Sequence, residues 1–166
     1  MNQKKTLNKF LFPQISPYYI LRVAAVTVGA YLFFSYVCIP IKIKGISMEP
    51  NYSDGSYNLI WRAVYFYRSP EVSEVVGVRL AGKNIMLLKR VVALEGDTVE
   101  FRKGKLMVNG KTKDEPYLRY PCNWELEKRK VEKGSIYVVG DNSDMPMRNH
   151  VFGQTDLNRI VGVALW

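Results

Sequence analysis

Histidine and cysteine are nearly missing from this chain: its 166 residues include one histidine, His150, and two cysteines, Cys38 and Cys122. That scarcity argues against a zinc site, and the scattered carboxylates lack the spacing of a calcium loop, so no metal is expected. No disulfide framework is implied either, because Cys38 falls inside a long apolar run and Cys122 far downstream, where the two thiols could not meet. A Ser-His-Asp triad would depend on His150 alone, and a lone histidine in a loop containing Pro, Met and Arg is more often structural or solvated. No glycine-rich phosphate loop stands in a strand-to-helix context, and no cofactor is expected. Acidic residues are also absent from the first 41 positions, although 15 occur in the whole chain.

What the chain has instead is apolar residues, 48% of the total, and they are unevenly placed. Residues 23–41 form 19 positions without a charge. At ~1.5 Å per residue they reach about 28 Å, close to the hydrocarbon thickness of a bilayer. A single membrane anchor over residues 18–41 is therefore expected, after a cytoplasmic tail over 1–17. An uncleaved anchor is favoured over a secretory signal, since no small-x-small site follows the run before Lys42 and Lys44. Four of the 24 basic residues (Lys4, Lys5, Lys9 and Arg22) precede residue 42, so +4 of the net charge of +9 sits there and +5 downstream. The positive-inside bias then puts the amino terminus in the cytoplasm and residues 42–166 on the extracytoplasmic face of a cell membrane. The downstream charge is mixed in sign, which disfavours nucleic-acid binding and fits attraction to a lipid bilayer.

Beyond the anchor the pattern shifts to short segments of two-residue alternation. Strands are expected at 41–47, 57–64, 75–80, 85–94, 98–102, 105–108, 135–139 and 159–165, separated by turns containing Gly or Asp. Residues 98–110 read as a hairpin. The charged stretch 112–133, with two prolines, reads as a surface excursion with a helical turn. The fold class is mostly β with one amino-terminal transmembrane helix.

Two residues stand out chemically. Ser47 follows Gly45 and precedes Pro50, in a context that forces a turn and exposes a hydroxyl. Lys89 lies between Leu87 and Val91 on one face of a strand whose other face carries Leu88, Arg90 and Val92. Either the strand is an edge and both cations reach water, or at least one is buried. Burial has a chemical purpose. A lysine with the reference pKa of about 10.4 is neutral in roughly one molecule in 2,500 at pH 7, and desolvation is the effect that makes it a usable base. Met48, Trp61, Tyr65 and Phe66 near the serine read either as core or as contacts to lipid or peptide.

The motifs carry a resemblance. Gly45-Ile46-Ser47-Met48-Glu49-Pro50 resembles the G-x-S-M-x-P motif of type I signal peptidases, and the run from Lys89-Arg90-Val91 to Gly96-Asp97 resembles their K-R-V-x-x-x-x-G-D motif. Asn109-Gly110-Lys111 followed by Glu115-Pro116-Tyr117-Leu118, and then Gly140-Asp141-Asn142, are similar to two further motifs in the same order. The resemblance implies a Ser/Lys protease β fold with Ser47 as nucleophile and Lys89 as general base. It further implies removal of signal peptides from exported preproteins after a small-x-small site. Gly45, the Ser47 amide, Asp141, Asn142 and Ser143 are the expected oxyanion and site supports. The last motif departs from the family: Pro146 stands where a lysine-orienting serine is usual and Arg148 where an aspartate is usual. Ser143 or Asn149 are candidate substitutes for that serine. Gly45 also replaces a serine that many members use for the oxyanion. Such divergence fits a specialised member serving a conjugation or dedicated export system as well as a housekeeping enzyme. Two other readings stand beside it. A LexA-like self-cleaving protein needs a small-small bond upstream of Ser47, which here falls inside the apolar run. A non-catalytic anchored β domain would bind a partner.

Overall fold

A computed structural model describes residues 16–80, 86–113, 122–149 and 153–166. The expected Glu115–Leu118 motif segment, His150 and most of the amino-terminal tail lie outside these. The chain divides into two compact units, the first ending at Tyr36 and the second comprising Val37–Trp166.

The first unit contains helix α1, Pro17–Leu32. Ser16 caps it by accepting the Tyr19 N–H, and Pro17 takes the first helical position, where a missing N–H costs nothing. All of its side chains are exposed, and a π-helical stretch, Phe33–Val37, continues it. Pro17–Val37 is long and apolar enough to cross a membrane. The helical part of the apolar run ends at Val37, four residues before the boundary expected at 41, because Cys38–Lys42 is strand β1. Apolarity alone could not reveal the switch, since Ile39 and Ile41 are as apolar as the helix. They pair instead with Ile60 and Asn58, and Pro40 is tolerated because β1 is a sheet edge. Cys38 is accordingly a buried strand residue, outside the helix, and both cysteines are free thiols.

The second unit is β. The remaining described strands are β2 (Tyr57–Trp61), β3 (Val75–Arg79), β4 (Met86–Ala93), β5 (Thr98–Arg102), β6 (Lys105–Val108), β7 (Lys111–Thr112), β8 (Leu126–Lys130), β9 (Ser135–Val139), β10 (Gly153–Asp156) and β11 (Ile160–Ala164). Among the described residues they form two antiparallel sheets, ordered β1-β2-β11-β3-β4-β9-β10 and β7-β6-β5-β8. The expected hairpin is β5–β6, whose turn puts Lys103 and Gly104 at positive φ. The excursion over 112–133, of which residues 114–121 lie outside the described residues, carries strand β8, and its Trp124 is buried in a core with Phe101, Leu106, Val131 and Val139. The segment expected as strand 41–47 leaves the sheet after Lys42 and turns, with Gly45 at φ +92°. A second cluster (Ile43, Met48, Ile60, Val75, Leu88, Val161) lies under that turn.

Candidate active site

Ser47 sits in the loop between β1 and β2, and this loop is tied down from several sides. The Ile43 N–H donates to the Ser56 carbonyl, and the Gly45 N–H donates to Asp54 Oδ1 at 2.7 Å. Glu49 and Tyr52 close turns onto the carbonyls of Ile46 and Met48, and the Glu49–Pro50 peptide is cis. Met48 points into the core and is 1% exposed, which resolves its two readings in favour of packing. Burying Met48 fixes the turn one residue beyond the serine.

Lys89 comes from β4, opposite Val76 of β3. Because β4 is an interior strand, the edge-strand reading fails: Lys89 is 2% exposed. Its Nζ donates to Ser47 Oγ at 2.8 Å, joining positions 42 apart in sequence. Desolvation lowers the lysine's pKa to about 8, and the negative charge of Asp141 acts in the opposite sense. Near that value roughly one molecule in ten is neutral at pH 7, a gain of more than 10² over an ordinary lysine.

Arg90, the other cation of the strand, is satisfied by a carboxylate. Its Nε and Nη2 donate to the two oxygens of Asp141 at 2.8 and 2.6 Å, a bidentate pair whose aspartate is 1% exposed. Asn51, from the serine loop, donates to the same carboxylate at 2.8 Å. Asn142 is buried beside them and donates from its backbone to the Ser47 carbonyl at 3.0 Å and from its side chain to the Ile46 carbonyl at 2.9 Å. The structure therefore brings Ser47, Lys89, Asp141 and Asn142 into one network. Ser143 is buried next to them, its N–H on the Asp141 carbonyl, whereas Asn149, the other candidate substitute for the missing serine, is exposed. Pro146 and Arg148 are exposed too. The segment carrying them is held by Trp124, whose Nε1 donates to the Met145 carbonyl at 2.8 Å. Sequence reasoning did not find Asn51 or Trp124. The signal available for Trp124 was one tryptophan isolated in a charged stretch.

A cleft of about 500 Å³ opens at the serine, with Ile41, Ile43, Gly45, Met86 and Leu88 in its walls. A serine hydroxyl in an apolar cleft, hydrogen-bonded to a dry lysine on an all-β scaffold, is the arrangement of a serine hydrolase that uses lysine in place of histidine.

Comparison with known proteins narrows this class. The family described as signal peptidase, peptidase S26, matches residues 17–166. Thylakoidal processing peptidase 1 of Arabidopsis thaliana is 36% identical over 153 residues, covering 86% of this chain and 45% of the relative. Signal peptidase IB of Staphylococcus aureus is 32% identical over 162 residues, covering 87% of this chain and 84% of the relative. A solved signal peptidase I from Enterococcus faecalis aligns over 58% of this chain and 97% of its own, with 22% identity and a TM-score of 0.48. The chain thus spans less than half the length of the thylakoidal relatives it matches. It belongs to the signal peptidase family of serine peptidases, peptidase S26.

Proposed function

We propose that the protein is a membrane-anchored endopeptidase that removes signal peptides from exported preproteins after a small-x-small site. The observation that carries this reading is the 2.8 Å contact between Lys89 Nζ and Ser47 Oγ, with the lysine buried. In the proposed reaction neutral Lys89 takes the hydroxyl proton while Ser47 Oγ attacks the scissile carbonyl. The resulting ammonium then protonates the leaving amine, and a water, deprotonated by the same lysine, hydrolyses the acyl-enzyme. Asp141 and Asn142 hold the two partners in register.

Substrate selection has a structural rationale. Pairing of β9 to β4 begins at Arg90, so the Met86–Leu88 part of β4 has no described strand on that side and borders the cleft. An extended peptide added along such an edge presents alternate side chains to the wall, and apolar walls of modest volume suit small ones. Pro17–Val37 serves as the anchor in this reading, with the amino terminus cytoplasmic because four basic residues precede the uncharged run 23–41 and only two, Lys42 and Lys44, follow it closely. The active site then works at the extracytoplasmic surface of the membrane, where a preprotein's cleavage region emerges. Anchoring raises the local substrate concentration without any new contact.

The test is cleavage of a preprotein bearing a small-x-small site by the full chain in detergent or lipid, alongside Ser47→Ala and Lys89→Ala. The wild type should cut once at that site, with each variant reduced by at least ~10³-fold. Full activity in either variant would remove the mechanism.

A further inference from the structure

We infer that Asn142 is a positioning residue that aims the oxyanion-binding amide of Ser47. This rests on the Ser/Lys reading above but concerns a different atom of the site. Gly45 carries no hydroxyl to meet a developing oxyanion, and its φ of +92° disfavours any side chain there. The Ser47 N–H is then the donor nearest the reacting carbon, and among the described residues it donates to no protein acceptor. Its direction is set by one peptide plane. In a trans peptide the N–H points opposite to the C=O of the preceding residue, and the Ile46–Ser47 peptide is trans. The Ile46 carbonyl is held by the Glu49 N–H at 3.1 Å from within the loop and by Asn142 Nδ2 at 2.9 Å from outside it, which keeps the Ser47 N–H on the opposite side. The Asn142 backbone N–H meanwhile holds the Ser47 carbonyl at 3.0 Å, so one residue outside the loop grips the carbonyls on both sides of the Ser47 Cα. The orientation of the side-chain amide is itself set. Its Oδ1 accepts the Asp144 N–H at 3.2 Å, leaving Nδ2 for Ile46.

Asn142→Asp tests this with little change of shape, since it keeps the backbone donor and the acceptor for Asp144 but replaces the Nδ2 donor with an oxygen facing the Ile46 carbonyl. In the full-length protein kcat should fall about 10²-fold, the scale of losing one oxyanion donor, with KM changed less than threefold. The pH midpoint of kcat/KM should stay in place in Asn142→Ala, which adds no charge beside Lys89, whereas the added carboxylate of Asn142→Asp raises it, as the charge of Asp141 already does. A peptide aldehyde gives a second readout. Its carbonyl carbon bonds to Ser47 Oγ, the hydroxyl proton passes to Lys89, and the aldehyde oxygen becomes the anion facing the Ser47 N–H. Its affinity should fall with kcat, while a non-reacting peptide of the same sequence binds as before. Three results would each overturn the inference: kcat within threefold of wild type, a pH midpoint shifted in Asn142→Ala, or equal losses for the aldehyde and the inert peptide. Should Asn142→Asp melt below the assay temperature, Asn142→Ala, which removes the same donor without adding charge, decides by the same measurements. Wild-type turnover and its loss in Ser47→Ala test the underlying reading separately.

Discussion

In the proposed mechanism Lys89 ties stability to catalysis at the scale of one residue. Its folded-state pKa is about 8 against 10.5 for a free side chain, so between those values the unfolded chain binds more protons than the folded one. Stability therefore rises with pH across that window, and the full cost of burying the ammonium, about 3 kcal/mol, is present below pH 8. Lys89→Met should abolish cleavage and raise the unfolding free energy at pH 6 by up to that amount. The advantage should shrink as pH approaches 10.5, as read from denaturant melts of both proteins across the range. With Lys89 as the proposed base, the same titration governs rate. In the wild type kcat/KM should rise with pH to a midpoint near 8, falling tenfold for each unit below it, and a profile flat between pH 6 and 9 would contradict a lysine base. Part of this was legible in the sequence: a lysine and an arginine adjacent in an apolar strand cannot both reach water if the strand is interior. What periodicity could not say was that β4 is interior, or which carboxylate answers Arg90. Asp141 lies 51 positions away and meets it only through the pairing of β4 with β9.

Between elements, the Arg90–Asp141 pair links β4, which carries Lys89, to the segment after β9 and, through Asn51, to the serine loop. Removing one partner of a buried pair leaves an uncompensated charge, so Asp141→Asn should destabilise the fold by about 3 kcal/mol in denaturant melts. It should also move the pH midpoint of kcat/KM below that of the wild type, because the aspartate's charge raises the Lys89 pKa. An unchanged midpoint would mean that the charge of Asp141 does not reach the lysine. The elements themselves were unevenly legible. Strands such as β3, β5 and β9 pack apolar side chains and carry a β-type pattern to match. β8, with four exposed residues in the sequence Glu127-Lys128-Arg129-Lys130, is an edge whose side chains face water, so no hydrophobic alternation marks it. β10 is equally polar, and β7 is two residues long. The helix-to-strand switch at Cys38 was hidden because one apolar run serves first as helix and then as sheet.

For the whole molecule, the uneven charge and the exposed aromatics bear on the proposed placement of the active site at a membrane surface. The turn after β2, Ala63–Phe66, leaves Phe66 and Tyr67 73% and 88% exposed, yet it is firmly built. Tyr65 Oη donates to Glu74 at 3.1 Å, Arg68 bridges Glu74 and Glu71, and Val64 is buried. The Arg62 N–H donates to the carbonyl of Val37, the residue at which the β unit begins, so the turn starts beside the point where the chain enters that unit from the apolar helix. Aromatic rings flanked by Arg62 and Arg68 suit a headgroup interface, with the rings in the acyl boundary and the cations near lipid phosphates. If the anchor works as proposed, these two rings form a second, shallow contact that holds the cleft close to the surface. Tyr67→Cys, labelled with an environment-sensitive dye in the full chain, should brighten and blue-shift in vesicles containing anionic lipid. Lipids brominated on their acyl chains should quench it, while a label at Lys103→Cys, on the β5–β6 turn, stays water-like. The pair Phe66→Ser and Tyr67→Ser should slow cleavage of a membrane-inserted preprotein several-fold and leave cleavage of a short soluble peptide unchanged. Equal slowing of both substrates would instead assign the rings to the integrity of the cleft, and a label indifferent to brominated lipid would place the turn in water.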